Sequence, residues 1–238
     1  MRSVSILTIT QFKRQASLLL LRDLILAQDY PSLLEWILVE GSPTADEAEA
    51  NQVFCRALQA GGLPIRYSPR NGSCVEPIGL LRNRANEAAS GDIRVVMDDD
   101  DYYPPDRVRH AVESLVRSKK KIAGCSRMFM MDYPSNRLFQ FKSFGKNHSV
   151  ASCMAWTAAY KGVCDPTARF AEETSFTNGF QAPMVQLDPA RTIVQSSHDQ
   201  NTVSKKDFIE TRLGTLLVEV KESPMPPAIQ ERFRAVFL

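Results

Sequence analysis

A chain of 238 residues with 44% hydrophobic and 24% charged side chains can bury one sizeable core, and its 29 basic against 27 acidic residues give no global drive toward nucleic acid or an anionic membrane. The five cysteines are odd in number and form no CxxC pair, which argues against a disulfide framework or a zinc site and fits a reducing, cytoplasmic setting. No apolar run has the length of a membrane span or the form of a secretion signal: the greasiest, from Leu18 to Ala27, is interrupted by Arg22-Asp23.

Val4 to Thr10 predicts a buried first strand, followed by a polar turn and a helix from about Lys13 to Ala27. Trp36 to Val39 predicts a second strand, after which Thr44 or Asp46 caps a helix running toward Ala60. Gly61-Gly62 ends that helix, Leu63 to Tyr67 makes a third short strand, and Pro69 to Pro77 a polar loop. Ile78 to Ala89 predicts a helix, Ile93 to Met97 a fourth strand, and Pro104-Pro105 the start of a helix to about Ser118. Such alternation means an α/β fold, with a mostly parallel sheet covered by helices.

After Lys119-Lys120-Lys121 the texture changes. Segments 122–131 and 138–144 flank Asp132-Tyr133-Pro134-Ser135-Asn136, whose turn chemistry predicts a hairpin. A segment near Ser152 to Tyr160, a short helix opened by Glu172-Glu173 and a strand near Arg191 to Gln195 follow, so the second half is mixed. The expected division is a main domain over 1–204 and a C-terminal helical extension over 205–238, broken at Pro224-Met225-Pro226-Pro227.

The fourth strand breaks abruptly into Asp98-Asp99-Asp100-Asp101. Four adjacent acids repel one another, and at a strand's carboxyl end, where open α/β sheets bind ligands, they call for a divalent cation; the bland alternative is a solvated acidic turn. An EF-hand needs Gly at the sixth loop position and Glu at the twelfth, where this chain has Tyr103 and Arg109. A dehalogenase-type phosphatase carries its acid pair after the first strand, and a sugar-nucleotide pyrophosphorylase needs a glycine-rich loop where Gln11-Phe12-Lys13-Arg14 stands.

Several separate motifs then agree. Thr8-Ile9-Thr10, Val39-Glu40-Gly41-Ser42, Gly79 with Arg82-Asn83-Arg84-Ala85, Ala89-Ser90-Gly91, the D-x-D-D run from Asp98 to Asp101, and Glu172-Glu173 together resemble the family 2 glycosyltransferases of the GT-A fold, over roughly residues 3 to 203. The resemblance implies a metal-dependent, inverting transfer of a sugar from a nucleoside diphosphate, with UDP the expected nucleotide, to a hydroxyl of a glycan or other acceptor. It places Thr8, Thr10, Glu40, Arg82, Asp98 and Asp99 at the sugar donor, with a structural alternative for Asp99, and makes Asp100 the first-choice ligand of Mn2+ or Mg2+. It brings His198 to the same metal or to the diphosphate. Of the acidic pair it aligns Glu173 with the catalytic base and Glu172 with the acid that steadies the acceptor, whereas the residues alone read equally as a helix start complementing the macrodipole.

The chemistry is consistent with those roles. A diphosphate leaves well only when its developing charge is neutralised, and inversion needs one carboxylate opposite the leaving group to take the acceptor proton. His110 reads as structural, His148 as a candidate at the acceptor border and Trp156 as a buried aromatic. The alternative from another class is a catalytically inactive GT-A-like module that binds carbohydrate.

Overall fold

The strand Val4–Thr10 (β1) is buried along nearly its whole length and lies inside the largest sheet, with neighbours on both sides. The computed structural model describes residues 1–72, 74–201 and 205–238. β1 pairs in parallel with Leu33–Glu40 (β2) on one side and with Ile93–Val96 (β4) on the other, and Ile65–Ser68 (β3) extends the sheet in parallel beyond β2. Alternation along β1 sends Val4 and Ile6 to one face and Leu7 to the other. On the first face they meet Leu18, Leu21 and Ile25 of Gln15–Leu26 (α1) and Val108, Ala111 and Leu115 of Arg107–Ser118 (α4). On the second they meet Leu81 and Ala85 of Ile78–Ala88 (α3). The helix Ala45–Ala57 (α2) is capped by Thr44, whose side chain accepts from Glu47 N.

Beyond β4 the sheet continues with three short strands, and its full order is β3, β2, β1, β4, Ala155–Thr157 (β8), Ile122–Gly124 (β5), Met184–Gln186 (β9). β8 runs antiparallel to both neighbours, so the sheet is parallel in its first half and mixed in its second. The expected hairpin is narrower than the sequence suggested. Only Phe129–Asp132 (β6) and Arg137–Phe141 (β7) form it, because Ile122 to Gly124 is fully buried and belongs to the main sheet. β9 has three residues, too few to show an alternation, and was not anticipated.

A second sheet runs Val194–Ser197 (β10), β6, β7, Leu217–Val220 (β11). The segment from 205 onward is therefore not helical throughout: between Lys206–Arg212 (α6) and Pro227–Phe237 (α7) it supplies β11, antiparallel to β7. Phe233 and Phe237 of α7 bury against Tyr133 and α1, tying this segment to the hairpin. Among the described residues no helix is long and apolar enough to cross a membrane.

Candidate active site

β1 and β4 run parallel and end at the same edge, and the acids follow β4 after the buried Met97. Met97 N donates to Leu7 O at 3.0 Å and Asp98 N to the Tyr103 hydroxyl at 2.7 Å, which fixes where the strip leaves the sheet. Two guanidinium groups, from opposite ends of the first hundred residues, hold it. Arg82, on α3, forks onto Asp98 with Nη1 to Oδ1 at 2.6 Å and Nη2 to Oδ2 at 2.8 Å, and its Nε donates to Glu172 Oε1 at 3.1 Å. Arg14, at the start of α1, contacts Asp99 Oδ1 at 3.2 Å, pairs with Asp100 Oδ2, and donates through Nη2 to Gln200 O at 2.9 Å.

Asp100 Oδ2 also faces His198 Nε2 at 3.2 Å and accepts from Asn201 Nδ2 at 3.1 Å. The His198 ring lies flat on Phe237 of α7, with centroids 3.8 Å apart and 4° between planes. Asp101 turns away and accepts from Ser196 N at 2.8 Å, while Lys205 Nζ donates to Ser196 O at 2.7 Å. Glu172 and Glu173 stand where Glu173–Phe176 (α5) begins. The loop before them is locked onto α3: Gly79 N donates to Ala168 O at 3.0 Å, and a Cβ at Gly79 would stand 2.0 Å from Asp165 O, so only glycine fits.

These surroundings pull the acids apart. Burial, reinforced by the Asp100 charge, pushes Asp99 up to about 8 against the opposing pull of Arg14, and burial raises Asp101 as well. Burial acts on Asp100 in the same direction, but Arg14 and His198 outweigh it and hold that carboxyl below its ordinary range. Burial lowers His198 more than Asp100 raises it. Glu173 is half-buried, and burial together with the neighbouring Glu172 raises its carboxyl to about 7. No side chain among the described residues bonds the Glu173 carboxyl.

Of the expected site residues, Thr10, Arg82, Asp98, Asp99 and Asp100 line one cleft of about 620 Å³. Glu172 joins it through Arg82, and His198 through Asp100. Thr8 and Glu40 are not brought there. The Thr8 hydroxyl donates to Met97 O at 2.6 Å and accepts from Trp36 Nε1 at 3.0 Å, on the same face of β1 as Ile6. Glu40 is fully buried and accepts from Ser42 N, Asn51 Nδ2 and the Tyr67 hydroxyl, which uses both carboxylate oxygens inside the fold. Trp156 is core, donating to Asn86 Oδ1, and His110 is structural, accepting from Asp188 N. Sequence reasoning missed Arg14, Asn201 and Lys205; for Arg14 the available signal was a basic residue one turn beyond β1, facing no acid in its own helix.

The charges leave room for a cation here. The four acids of the strip and Glu172 crowd round Arg14, Arg82 and Lys205, and the mutual repulsion that helps burial raise Asp99 and Asp101 is what a bound cation would relieve. Asp99 Oδ2 and Thr10 Oγ1 are both buried and form no close hydrogen bond, though the Thr10 hydroxyl stands near enough to oppose the rise of the Asp99 carboxyl. Among the described residues no three His, Cys, Asp or Glu side chains converge on a point that could hold a metal ion, so a cation here would need oxygens from a ligand. The separation of Asp100 Oδ2 and His198 Nε2 suits two neighbours on one ion, which lie about 3 Å apart in octahedral geometry. The ring's other bond points elsewhere: Gln200 N donates to Nδ1 at 3.2 Å, which favours the proton on Nε2, toward Asp100, against the Asn201 amide nitrogen that also lies 3.1 Å from Nε2. A cation on Nε2 requires that proton to move to Nδ1, against the Gln200 amide.

A parallel sheet ending in an acidic strip between two guanidinium groups, with a mixed half that adds a second acidic pair, defines a GT-A-type α/β protein. The chain belongs to glycosyl transferase family 2, whose sequence profile matches residues 7–136, more than half of it. Its fold is similar to TarS of S. aureus (residues 1–349, in complex with UDP-GlcNAc), at 15% identity and a TM-score of 0.63, covering 87% of this chain and 64% of that one. It is also similar to the mannosyltransferase PcManGT of Pyrobaculum calidifontis in complex with GDP-Man and Mn2+, at 17% identity and a TM-score of 0.57, covering 84% and 58%. This chain thus spans less than two thirds of the length of either neighbour. No curated protein sequence matches it.

Proposed function

We propose that the chain transfers a sugar from a nucleoside diphosphate to a hydroxyl of a glycan or other acceptor, with inversion and with Mn2+ or Mg2+. The observation that carries this reading is Arg82, which spans the cleft from Asp98 to Glu172 and so joins the strip that would hold the diphosphate to the acids that would serve the acceptor. The likeness to TarS, crystallised with UDP-GlcNAc, favours UDP over the GDP of PcManGT. Residues 1–204 form the catalytic unit in this reading, and the five free thiols fit a reducing, cytoplasmic setting.

Asp100 would hold the cation, which neutralises charge on the departing diphosphate. Asp98, fixed by the Arg82 fork, orients the sugar donor beside Thr10, and the guanidinium itself faces the developing negative charge. His198 acts as a hydrogen-bond donor that orients Asp100, and Asp99 stands behind the site as Arg14's second partner. Glu173 takes the acceptor's proton. A carboxyl raised to about 7 is well matched to that task near neutral pH, and Glu172, held by Arg82, keeps the pair from moving.

The test is a panel of nucleotide sugars, scored by thermal shift and by hydrolysis with and without Mn2+, since a ligand that binds only the native state raises its melting temperature. A metal-dependent shift with UDP-sugars, accompanied by turnover, is expected. A shift without turnover toward any acceptor or water indicates an inactive sugar-nucleotide-binding module, and no shift with any nucleotide overturns the reading.

A further inference from the structure

Arg14 has a second use. We propose that its guanidinium is a resident cation of the sugar-donor site, which pairs with Asp99 and Asp100 while no nucleotide is bound, then releases Asp100 and bonds the nucleotide's diphosphate. The proposal rests on the nucleotide-sugar reading above and adds a residue and an order of events to it.

The side chain is 5% exposed yet lines the cleft, so it is reached from the ligand side only. Its Nη1 is shared between two carboxylates, and its Nε is buried with no hydrogen-bond partner. A guanidinium has five N–H donors in a planar fork that matches phosphate oxygens, and here the Nε donor is unused. Burial works against its charge, but Asp100 and Asp99 outweigh that and keep it firmly protonated, so it arrives at any ligand as a full positive charge.

Competition follows from geometry. Arg14 and the proposed cation both require Asp100, and the fork already sits on Oδ2, the oxygen that faces His198. A cation entering alone must displace a buried ion pair. A cation entering with a diphosphate offers the guanidinium new anionic partners as it leaves Asp100. Arg14 Nη2 also donates to Gln200 O, so the same movement frees the segment that carries His198 and Asn201. The guanidinium therefore favours joint arrival of metal and nucleotide over metal alone.

The experiment measures Mn2+ binding by electron paramagnetic resonance without nucleotide, and UDP binding by calorimetry at saturating Mn2+, for the parent, Arg14→Gln and Arg14→Lys, each checked for a native melting transition. Expected for Arg14→Gln are opposite signs: Mn2+ alone binds about tenfold tighter, because its competitor is gone, and UDP about tenfold weaker, because charge-assisted bonds to phosphate are lost. Arg14→Lys keeps the charge without the fork, so the same signs at smaller size are expected. It carries the test should the Gln variant not fold. A parallel loss of both affinities makes Arg14 a purely structural counter-ion, and no change in either makes it irrelevant to binding; both results overturn the proposal. A parent that binds Mn2+ but no nucleotide overturns the nucleotide-sugar reading itself, and the phosphate role of Arg14 with it.

Discussion

The two edges of the central sheet treat their buried acids in opposite ways. At the amino edge Glu35 accepts from Ser5 Oγ, Ser90 N and Ser90 Oγ, each at 2.7 Å, and pairs with Arg66 at 3.0 Å. Glu35 thus uses both oxygens, whereas at the carboxyl edge Asp99 Oδ2 is buried without a close hydrogen bond and the bonds to Asp100 all fall on Oδ2. Burial raises the carboxyl in both places. Neutral hydroxyl and amide donors overcome it at Glu35 and bring that group down to about 2, whereas at Asp99 they do not, and it rises to about 8. A saturated carboxylate belongs to the fold, and an unsaturated one beside it waits for a ligand.

The sharpest way to break this contrast is Asp100→Asn. One charge and one hard oxygen ligand are lost, so UDP binding in the presence of Mn2+ should fall by on the order of a hundredfold, while the melting temperature drops as Arg14 loses a buried partner, with a native transition retained. Calorimetry giving parental UDP affinity would place the cation elsewhere.

Glu173→Gln should lower turnover by about a hundredfold and leave UDP affinity nearly unchanged, because proton removal matters only in the transition state. Glu172→Gln should do less. The sign with pH is fixed by the role: a base must be ionised, so turnover of the parent should climb as pH rises through about 7 and flatten above it, and the residual activity of Glu173→Gln should lack that limb. Rate profiles of the two variants decide which carboxyl is the base.

At the other edge, Glu35→Gln should cost about 1–3 kcal/mol of stability and leave activity per folded molecule intact, the reverse of the two changes above. Its folded value lies below the unfolded one, so its contribution is present above about 4.5 and is lost as pH falls toward about 2. Denaturant melts at pH 7 and pH 3 read both effects, and a Gln variant equal to the parent at pH 7 would make the amino-edge network unimportant.

How much of this was legible in the sequence follows the range of each contact. The acid strip was readable because a buried strand and four consecutive charges are neighbours in the chain, and the α/β order because β1, β2, β3 and β4 alternate with well-formed helices. Arg14 was not: a basic residue one turn past β1 that faces no acid in its own helix hints at a distant partner, but the partners lie 85 and 86 residues away and nothing local names them. Thr8 shares the parity of Ile6 on β1, so its inward direction was in the pattern and was overlooked. Glu40 was undone by Asn51 and Tyr67, which only the fold brings to it. β9 and β11 are short strands held by the partners they pair with, a stabilisation no local window carries.

The smallest effect separates two roles for His198. As a hydrogen-bond donor it acts on Asp100 whatever the ion, so His198→Asn, which keeps a donor, should weaken Mn2+ and Mg2+ support of UDP binding by the same few-fold factor. As a ligand it would favour the softer ion, and its loss would weaken Mn2+ far more than Mg2+. The Gln200 amide on Nδ1 argues for the first outcome, and the stack on Phe237 explains why the ring has little freedom to turn over. Phe237→Leu should then reproduce a milder version of the same equal loss, through an Asp100 carboxylate that is less well oriented. Titrating UDP with each metal in turn checks both variants. A selective loss of Mn2+ support in His198→Asn would return the imidazole to the coordination shell and require segment 198–201 to rearrange when the nucleotide binds.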